Sequence, residues 1–470
     1  MQLRRAALFF GGDTAARMLA FFAVIVGARV LGPHEFGRFT LVFAVVSICL
    51  LVADFGLTPL IMRRLSDEFA SRREIVWSAS SVNLGLATIT YGLVLTGFGI
   101  LQHEDAVLVG LYGLVLFLHA LGTSVDALLL ATDRAARVGA NRLVGNVVLV
   151  ATAAAALASN PAAESLVAAF VVGAAVKVAL GVVAARSTIG KPTFAVDVAR
   201  TLVRAAVPFA LAALTSFLYF RADIVLLAAL KDDESVGQYG AAYRFLDGLL
   251  LVPVALAYTF FPAWTGRTKE SRHTFLLVKI LVVLGTLGAF VTIIAGPYFC
   301  RAILGSDYWA AGRALQILAI GLPVLFVDVV AVWFAFSHGR EWAVIKIGAV
   351  ALVVNLASNL LLIPRYDLNG AAVATLLSEV ANFLGYAVLF RHLAKNRIRE
   401  ILGLALRVGI ATTAAAGTVF VIGLGSLPIV VDVAAGIAML LAVLALSGLF
   451  TPSDFRQLSG GRGGSKRALA

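Results

Sequence analysis

Long apolar segments recur along the whole chain of 470 residues, and they restrict its possible folds more than any other feature. Each has about 20 or more residues with few charges, which lets a helix cross a hydrocarbon core of about 30 Å. Hydrophobic residues make up 61% of the chain and charged residues 14%, a composition that excludes an ordinary soluble domain. The continuous Leu, Val and Ala runs favour helices, because a membrane β-barrel requires ten-residue alternation. We therefore predict an all-α, polytopic membrane bundle.

The apolar segments predict fourteen transmembrane helices, at residues 6–31, 36–62, 74–101, 106–131, 138–158, 164–186, 204–230, 235–262, 273–297, 310–336, 344–364, 369–390, 403–424 and 428–449. Phe36 and Gly37 begin the second span, and Val236 and Gly237 begin the eighth, two hundred residues later. This repeat predicts an N-terminal six-helix lobe at 1–200 and a C-terminal six-helix lobe at 201–400. Two additional transmembrane helices at 401–450 and a basic disordered cytoplasmic tail at 451–470 complete the expected organisation.

The positions of Lys and Arg predict the orientation, because short loops rich in these residues stay in the cytoplasm. Twenty-six of them lie in predicted loops on the side of the termini, and five lie on the other side. Both termini are therefore predicted to be cytoplasmic. The formal net charge of +12 would suggest nucleic-acid binding in a soluble protein. Here the basic residues serve membrane topology, so we expect membrane lipids as partners and no nucleic acid.

Ionisable residues near the middle of the spans are the candidate site residues. Each costs roughly 2.5 to 3.5 kcal/mol to insert, so it must face a cavity or a partner. Four of them are cations that could bind an anionic substrate, namely Arg17, Lys177, Arg221 and Arg244. Three are carboxylates that could bind a coupling ion or line a cavity, namely Asp223, Asp247 and Glu379. His119 is interpreted as a core histidine.

Local pairing provides a structural alternative for two of the cations. Asp13 and Arg17 are four residues apart, and Arg244 and Asp247 are three apart, so each pair could form a salt bridge on one helix face. A structural and a functional role are both open for these pairs.

The other candidates lack such a local partner. Arg221 and Asp223 are two residues apart and point to different helix faces, so one of them requires a partner elsewhere. Lys177 has no charged residue within a turn, which makes it the strongest candidate for an anion contact. Glu379 could bind a proton or sodium, or it could be a hydrogen-bonded packing residue.

Several short motifs resemble those of a known family. The run from Ala28 to Gly37 is similar to the first-hairpin pattern of polysaccharide-biosynthesis membrane proteins. These are the Wzx-type flippases of the multidrug, oligosaccharidyl-lipid and polysaccharide exporter superfamily. The residues at 223–225 and 236–242 resemble the central pattern of that family, and those at 305–308 resemble its later external loop. Asn355, Asn359, Pro364 and the residues at 370–372 extend the resemblance over nearly the whole chain.

This resemblance implies a two-lobed bundle around a central cavity. The implied function is a flippase that moves a polyprenyl-pyrophosphate-linked oligosaccharide across the bacterial cytoplasmic (inner) membrane for surface polysaccharide biosynthesis. A polysaccharide polymerase and glycosyltransferases would be its partners. The four cations would then converge in the cavity and hold the pyrophosphate, since arginine binds this group through paired hydrogen bonds.

Other functions stay open. A lipid II flippase and a cation-coupled multidrug exporter of the same superfamily are the alternatives. A membrane glycosyltransferase or polymerase is disfavoured, because such an enzyme would carry acidic catalytic residues and a long external loop, and every predicted external loop is short. We expect a transporter with no catalytic residue, no metal site and no cofactor, and proton or sodium coupling is left open.

Overall fold

The computed structural model describes residues 2–67, 72–100, 104–265, 271–392, 398–423 and 428–449. The helices are α1 (Gln2–Asp54), α2 (Leu57–Asp67), α3 (Arg72–Ile100), α4 (Ala106–Ala131), α5 (Ala135–Ser159), α6 (Ala163–Ile189), α7 (Val196–Leu230), α8 (Asp233–Thr265), α9 (Ser271–Leu304), α10 (Trp309–Ile320), α11 (Leu322–Ser337), α12 (Glu341–Leu389), α13 (Ile398–Gly423) and α14 (Ile429–Leu446). A short 3₁₀ turn, Ser306–Tyr308, precedes α10. The predicted basic tail at 451–470 lies outside the described residues.

The number of membrane crossings follows from helix length. Within the described residues, ten helices are long and apolar enough to cross a membrane, and one bent pair formed by Ser306–Ile320 and Leu322–Ser337 makes up to eleven. Two of the ten, in α1 and α12, span 44 and 49 residues, about twice the length that one crossing needs. If each of these two helices crosses twice, the eleven spans become thirteen. The 35-residue α7 then completes the predicted fourteen crossings. The all-α membrane bundle is confirmed.

Helix α1 folds back on itself at Gly32. This residue has φ 73° and ψ 170°, a left-handed conformation that glycine adopts readily, and Pro33 follows it. Near the break, Arg38 contacts Asp105 just before α4. Asp54, at the end of α1, instead lies near His119, deep within α4. In the first half, Asp13 is bridged through Arg142 to Asp126, in the same part of α4 as His119. The two halves, residues 2–31 and 33–54, therefore form the predicted hairpin of the first and second spans.

Helix α12 also contains a hairpin. Asp367 has φ 55°, and Gly385 packs against the side chain of Ile347. In a straight helix these two residues would be about 57 Å apart. The halves on either side of Asp367 correspond to the predicted eleventh and twelfth spans.

Two of the predicted spans, the second and the tenth, are interrupted by a break in the helix. The second span ends at Asp54 instead of residue 62, because Phe55 and Gly56 have positive φ values of 47° and 68°. The following helix, α2, buries Leu57, Ile61 and Leu65 along one face, in a cluster that includes Ile75. The tenth span is bent by 58° between Ile320 and Leu322.

The chain forms two compact units. The first contains residues 1–244, 301–311 and 355–371, and the second contains residues 245–300, 312–354 and 372–470. This division follows spatial contacts and not chain order. The two lobes predicted at 1–200 and 201–400 stay a prediction.

Glycine allows the repeated hairpins to meet within the first unit. A Cβ atom at Gly37 would overlap the carbonyl oxygen of Asp233, and a Cβ atom at Gly237 would overlap the carbonyl oxygen of Pro33. The two contacts are reciprocal, since Pro33 and Asp233 each lie four residues before their glycine. Any larger residue would push α1 and α8 apart.

Candidate functional site

An ionic cluster lies inside the first unit, where α1, α4, α5 and α6 pack together. Asp13 accepts hydrogen bonds from Arg17 Nε at 2.8 Å and from Arg142 Nη1 at 2.6 Å. Arg142 Nη2 also donates to Asp126 at 3.1 Å. We define the ionic cluster as Asp13, Arg17, Asp126, Arg142 and Lys177. The predicted Asp13 and Arg17 salt bridge is confirmed, and it belongs to this larger network.

Lys177 is the least satisfied member of the ionic cluster. It interacts electrostatically with Asp126, Arg142 and Asp13, and also with His119, and the backbone of Gly145 packs against its Cβ. Among the described residues, Lys177 makes no ion pair within 4.0 Å. Three cations and two carboxylates leave the cluster with a positive excess, so it can attract an anion.

A second basic region, the arginine–aromatic cluster, contains Arg221, Arg244, Phe43, Tyr112 and Tyr243. The guanidinium carbon of Arg244 lies 4.4 Å from the centroid of the Phe43 ring. That of Arg221 lies 5.9 Å from the Phe43 ring and 5.9 Å from the Tyr243 ring. Phe43 also stacks with Tyr112 at 5.9 Å. The faces of aromatic rings attract cations, so one ring helps to hold both arginines within the bundle.

Asp223 has a packing role in this arrangement. Its side chain is fully buried, and it accepts hydrogen bonds from the Tyr239 hydroxyl at 2.6 Å and the Ile224 N–H at 2.8 Å. These contacts connect α7 to α8. The sequence indicated that Arg221 or Asp223 requires a partner elsewhere, and Tyr239 of α8 is such a partner for Asp223.

One face of α4 positions both clusters. Asp105, Tyr112, His119 and Asp126 follow one another at seven-residue intervals, a spacing that keeps side chains on nearly the same face of a helix. Tyr112 belongs to the arginine–aromatic cluster, Asp126 belongs to the ionic cluster, and His119 Nε2 lies between them, 3.9 Å from Asp54 Oδ1. We call each of these four positions a level of α4, and successive levels are about 10 Å apart along the helix axis.

Ion pairs close the predicted external end of this face. Arg38 donates to Asp105 at 2.7 Å, to Glu35 at 3.1 Å and to Glu164 at 3.3 Å. Burial alone would raise the pKa of Glu35, but the Ala163 N–H and the Arg38 guanidinium stabilise the carboxylate and hold its pKa below the ordinary value. These contacts connect the first hairpin to the starts of α4 and α6.

The remaining predicted carboxylates lie in the second unit. Asp247 is half-buried in α8. Glu379, in α12, is only 4% exposed and interacts electrostatically with Asp328 of α11. The searched residues contain no group of three or more His, Cys, Asp or Glu side chains that could hold a metal ion.

Sequence reasoning did not identify three residues of these arrangements. Asp126 continues the seven-residue spacing on α4, and Asp328 lies near the middle of the predicted tenth span, so both could have been found as intramembrane carboxylates. Arg142 is one of the twenty-six Lys and Arg residues assigned above to the cytoplasmic side, and α5, which begins at Ala135, places it two turns inside the helix and not in a loop.

Comparisons with known proteins agree with the motifs. The model of a family described as polysaccharide biosynthesis protein matches residues 3–266. A probable low-salt glycan biosynthesis flippase, Agl15 of Haloferax volcanii, is 24% identical over 380 residues, which cover 78% of this chain and 79% of that protein.

Solved structures show the same fold. The lipid II flippase MurJ in an inward closed conformation gives a TM-score of 0.74 at 15% identity, covering 93% of this chain and 98% of MurJ. An inward-facing multidrug resistance MATE family transporter of the MOP superfamily gives 0.64 at 14% identity, covering 84% and 95%. The family match and the names of these relatives, which are flippases and transporters, confirm the prediction of a membrane transporter and not an enzyme.

Proposed function

This chain belongs to the polysaccharide biosynthesis protein family, and on that premise we propose that it is a flippase for a polyprenyl-pyrophosphate-linked oligosaccharide. The observation that carries the proposal is the placement of Arg221 and Arg244 on one aromatic ring inside a membrane bundle. Both guanidinium carbons lie within 5.9 Å of the Phe43 ring centroid, so two positive charges share this region and together can attract an anion. A pyrophosphate offers the oxygens that arginines bind best.

The two basic regions suggest a route for the anion. The ionic cluster lies near Asp126, towards the predicted cytoplasmic end of α4, and the arginine–aromatic cluster lies near Tyr112, two levels further out. A pyrophosphate would first contact Lys177 and then pass about 20 Å along α4 to the arginines. The oligosaccharide and the polyprenyl chain would follow this head group.

The charge of the proposed site favours a flippase for a pyrophosphate-linked lipid over a multidrug exporter. A multidrug exporter for organic cations would place carboxylates where this chain places Arg221, Arg244 and Lys177. A lipid II flippase carries the same pyrophosphate, so it is distinguished by the attached sugar and not by these cations. The similarity to Agl15, which is named as a glycan biosynthesis flippase, favours the surface glycan.

The proposal extends to the cellular setting. We place the protein in the cytoplasmic membrane with both termini inside, as the loop cations predict. Glycosyltransferases would make its substrate and a polysaccharide polymerase would consume its product, because a flipped oligosaccharide requires a maker on one side and a user on the other.

Reconstituted proteoliposomes test the proposal directly. A polyprenyl-pyrophosphate-linked glycan is placed in the inner leaflet, and its appearance outside is followed with an impermeant sugar-specific reagent. Arg221→Gln and Lys177→Gln should each reduce flipping to the level of protein-free vesicles.

Lys279→Gln is the matched control, because Lys279 in α9 lies 5.3 Å from the Phe275 ring and 3.5 Å from the carbonyl oxygen of Leu449. It should retain wild-type flipping. Full activity of the Lys177→Gln and Arg221→Gln double variant would refute the proposed role of the cations. Transport of lipid II alone, or of an organic cation alone, would replace the proposed substrate with one of the alternatives.

A further inference from the structure

The helix break between α1 and α2 places a carboxylate beside a histidine. The break lies inside the predicted second span, and Phe55 there has φ 47°, a left-handed conformation that is uncommon for a bulky residue. Strained backbone of this kind occurs most often at functional sites, because the surrounding structure must hold it in place. Asp54 directly precedes Phe55, and its Oδ1 atom lies 3.9 Å from His119 Nε2.

Both side chains of this pair are positioned by the helices around them. The Thr58 hydroxyl of α2 donates a hydrogen bond to Asp54 Oδ1, and the Asp54 side chain is 14% exposed. His119, which the sequence suggested as a core histidine, lies near the middle of α4 and keeps 32% of its side chain exposed. The carboxylate is therefore held in place, and the ring beside it is not sealed off within the bundle.

The charged groups that face His119 come from the helices packed against α4. The imidazole interacts electrostatically with Asp54 of α1, Asp126 of α4 and Lys177 of α6. Arg142 of α5 joins these charges through its hydrogen bond to Asp126. Imidazole is the side chain that ordinarily changes charge between about pH 5 and 8. The opposite charge of Asp54, within 4 Å of the ring, stabilises its protonated form.

Helices α2 and α3 face the same part of the bundle with uncharged groups. On α3, Asn83 donates to the Thr123 hydroxyl at 3.5 Å, and the Tyr91 hydroxyl donates to the Gly110 carbonyl at 3.0 Å. On α2, the facing group is the Thr58 hydroxyl. These polar groups are neutral at physiological pH, so they add no charge to the pair.

The pair lies between the two basic regions of the first unit. On α4, His119 is one level from Asp126 of the ionic cluster and one level from Tyr112 of the arginine–aromatic cluster, about 10 Å in each direction. With the imidazole neutral, Asp54 gives the pair one negative charge. With the imidazole protonated, the two charges cancel. An anion that moves between the clusters therefore meets a repelling carboxylate in one state and a neutral ion pair in the other.

We infer that Asp54 and His119 form a proton-binding site that controls the passage of an anionic head group between the two clusters. The proton comes from water, binds a ring nitrogen of the neutral imidazole and produces an imidazolium beside the Asp54 carboxylate. Its release returns the proton to water and restores the net negative charge. The control of passage rests on the proposed transport function, whereas proton binding by the pair does not.

Nuclear magnetic resonance of the purified protein, with its histidines labelled with nitrogen-15, tests proton binding without transport. The His119 signal is the one that His119→Gln removes, and it should titrate between about pH 5 and 8. In the nearly isosteric Asp54→Asn variant its midpoint should fall by about one pH unit, because the imidazolium loses its counter-charge. His34, whose side chain is 66% exposed, is an internal reference whose midpoint should stay the same.

Asp197→Asn is the matched control, because Asp197 is an exposed carboxylate in the first turn of α7. It should leave the His119 midpoint unchanged. Thermal unfolding checks the fold of each variant, and if Asp54→Asn does not fold, Asp54→Ser should give the same fall. A His119 signal that does not titrate in this range, or an unchanged midpoint in a folded Asp54 variant, would overturn the inference. A shift of the signal when sodium replaces potassium at constant pH would also overturn it, because the site would then bind sodium.

A transport assay tests the control of passage separately. In proteoliposomes, flipping by the wild type should be about tenfold faster at about pH 6 than at about pH 8, because the protonated pair does not repel the head group. Asp54→Asn should flip at the higher pH as fast as the wild type does at the lower pH. His119→Gln should keep the slow rate at both, and Asp197→Asn should follow the wild type.

The two variants of the pair are therefore expected to differ from the wild type in opposite directions. Equal pH dependence of flipping in the wild type and His119→Gln would refute the control of passage. A wild type whose His119 titrates as expected but which flips no glycolipid at any pH would refute the proposed function and leave the proton site standing.

Discussion

The two units of this protein compensate their buried charges in opposite ways. In the first unit, Asp13 and Asp126 both accept hydrogen bonds from Arg142, and the surrounding cations leave a positive excess. In the second unit, Asp328 accepts no hydrogen bond among the described residues, and its electrostatic neighbour Glu379 is another carboxyl. The cost of a charge buried in a membrane is therefore offset by ion pairs in the first unit, whereas Asp328 makes no comparable pair within the described part of the second unit.

The largest expected effect comes from a substitution in the first unit that disrupts packing without changing any charge. Gly37→Leu would force a side chain onto the Asp233 carbonyl, so we expect loss of most folded protein, measured as the monodisperse fraction in detergent. Gly85→Leu is the matched control, because no atom lies within 4 Å of a Cβ added at Gly85. Normal abundance of Gly37→Leu together with lost transport would assign a functional role to this hairpin.

Removing a charge from the first unit should have the next largest effect. Arg142→Gln takes the shared donor from Asp13 and Asp126, and breaking a buried ion pair in this way costs about 3 kcal/mol of unfolding free energy. Equilibrium unfolding in detergent measures the change. The exposed Arg137, on the same helix, provides the control, because Arg137→Gln should change stability by less than about 0.5 kcal/mol. Equal stability of the two variants would mean that the ionic cluster contributes nothing to the fold.

A hydrogen bond to a buried carboxylate provides a smaller test of the same unit. Tyr239→Phe removes the 2.6 Å hydrogen bond from the Tyr239 hydroxyl to Asp223, and the expected loss is about 2 kcal/mol. Tyr91→Phe removes a 3.0 Å hydrogen bond to the neutral carbonyl of Gly110 and should cost about 1 kcal/mol. Parallel unfolding curves compare the variants, and the reverse order would show that Asp223 is not held as a carboxylate.

The corresponding change in the second unit should have the smallest effect. Asp328→Asn replaces a buried carboxyl that has no described hydrogen-bond donor with a neutral amide of the same shape, so stability at neutral pH should change by less than about 1 kcal/mol. Equilibrium unfolding in detergent at neutral pH measures the change. A loss as large as that of Arg142→Gln at neutral pH would remove the contrast between the units.

Most of the fold could be predicted from the sequence, because membrane crossings depend on local composition. Apolar length identified the fourteen spans, and the residues around Gly32 and Asp367 marked the hairpins that the backbone confirms. The boundary at Asp54 was not predictable from hydropathy. It depends on the positive φ values of Phe55 and Gly56 and on a cluster that buries one face of α2.

For the candidate site, too, the sequence predicted local features, whereas contacts between residues distant in sequence came from the structure. The sequence alone identified some of the residues that carry charge within the membrane, such as Lys177 and Arg221, and four-residue spacing identified the Asp13 and Arg17 pair. Only the tertiary structure placed Arg142 between Asp13 and Asp126, Phe43 beneath both Arg221 and Arg244, and Asp328 beside Glu379. These partners are distant in sequence, and the energy of a buried charge depends on what lies within a few ångströms of it in space.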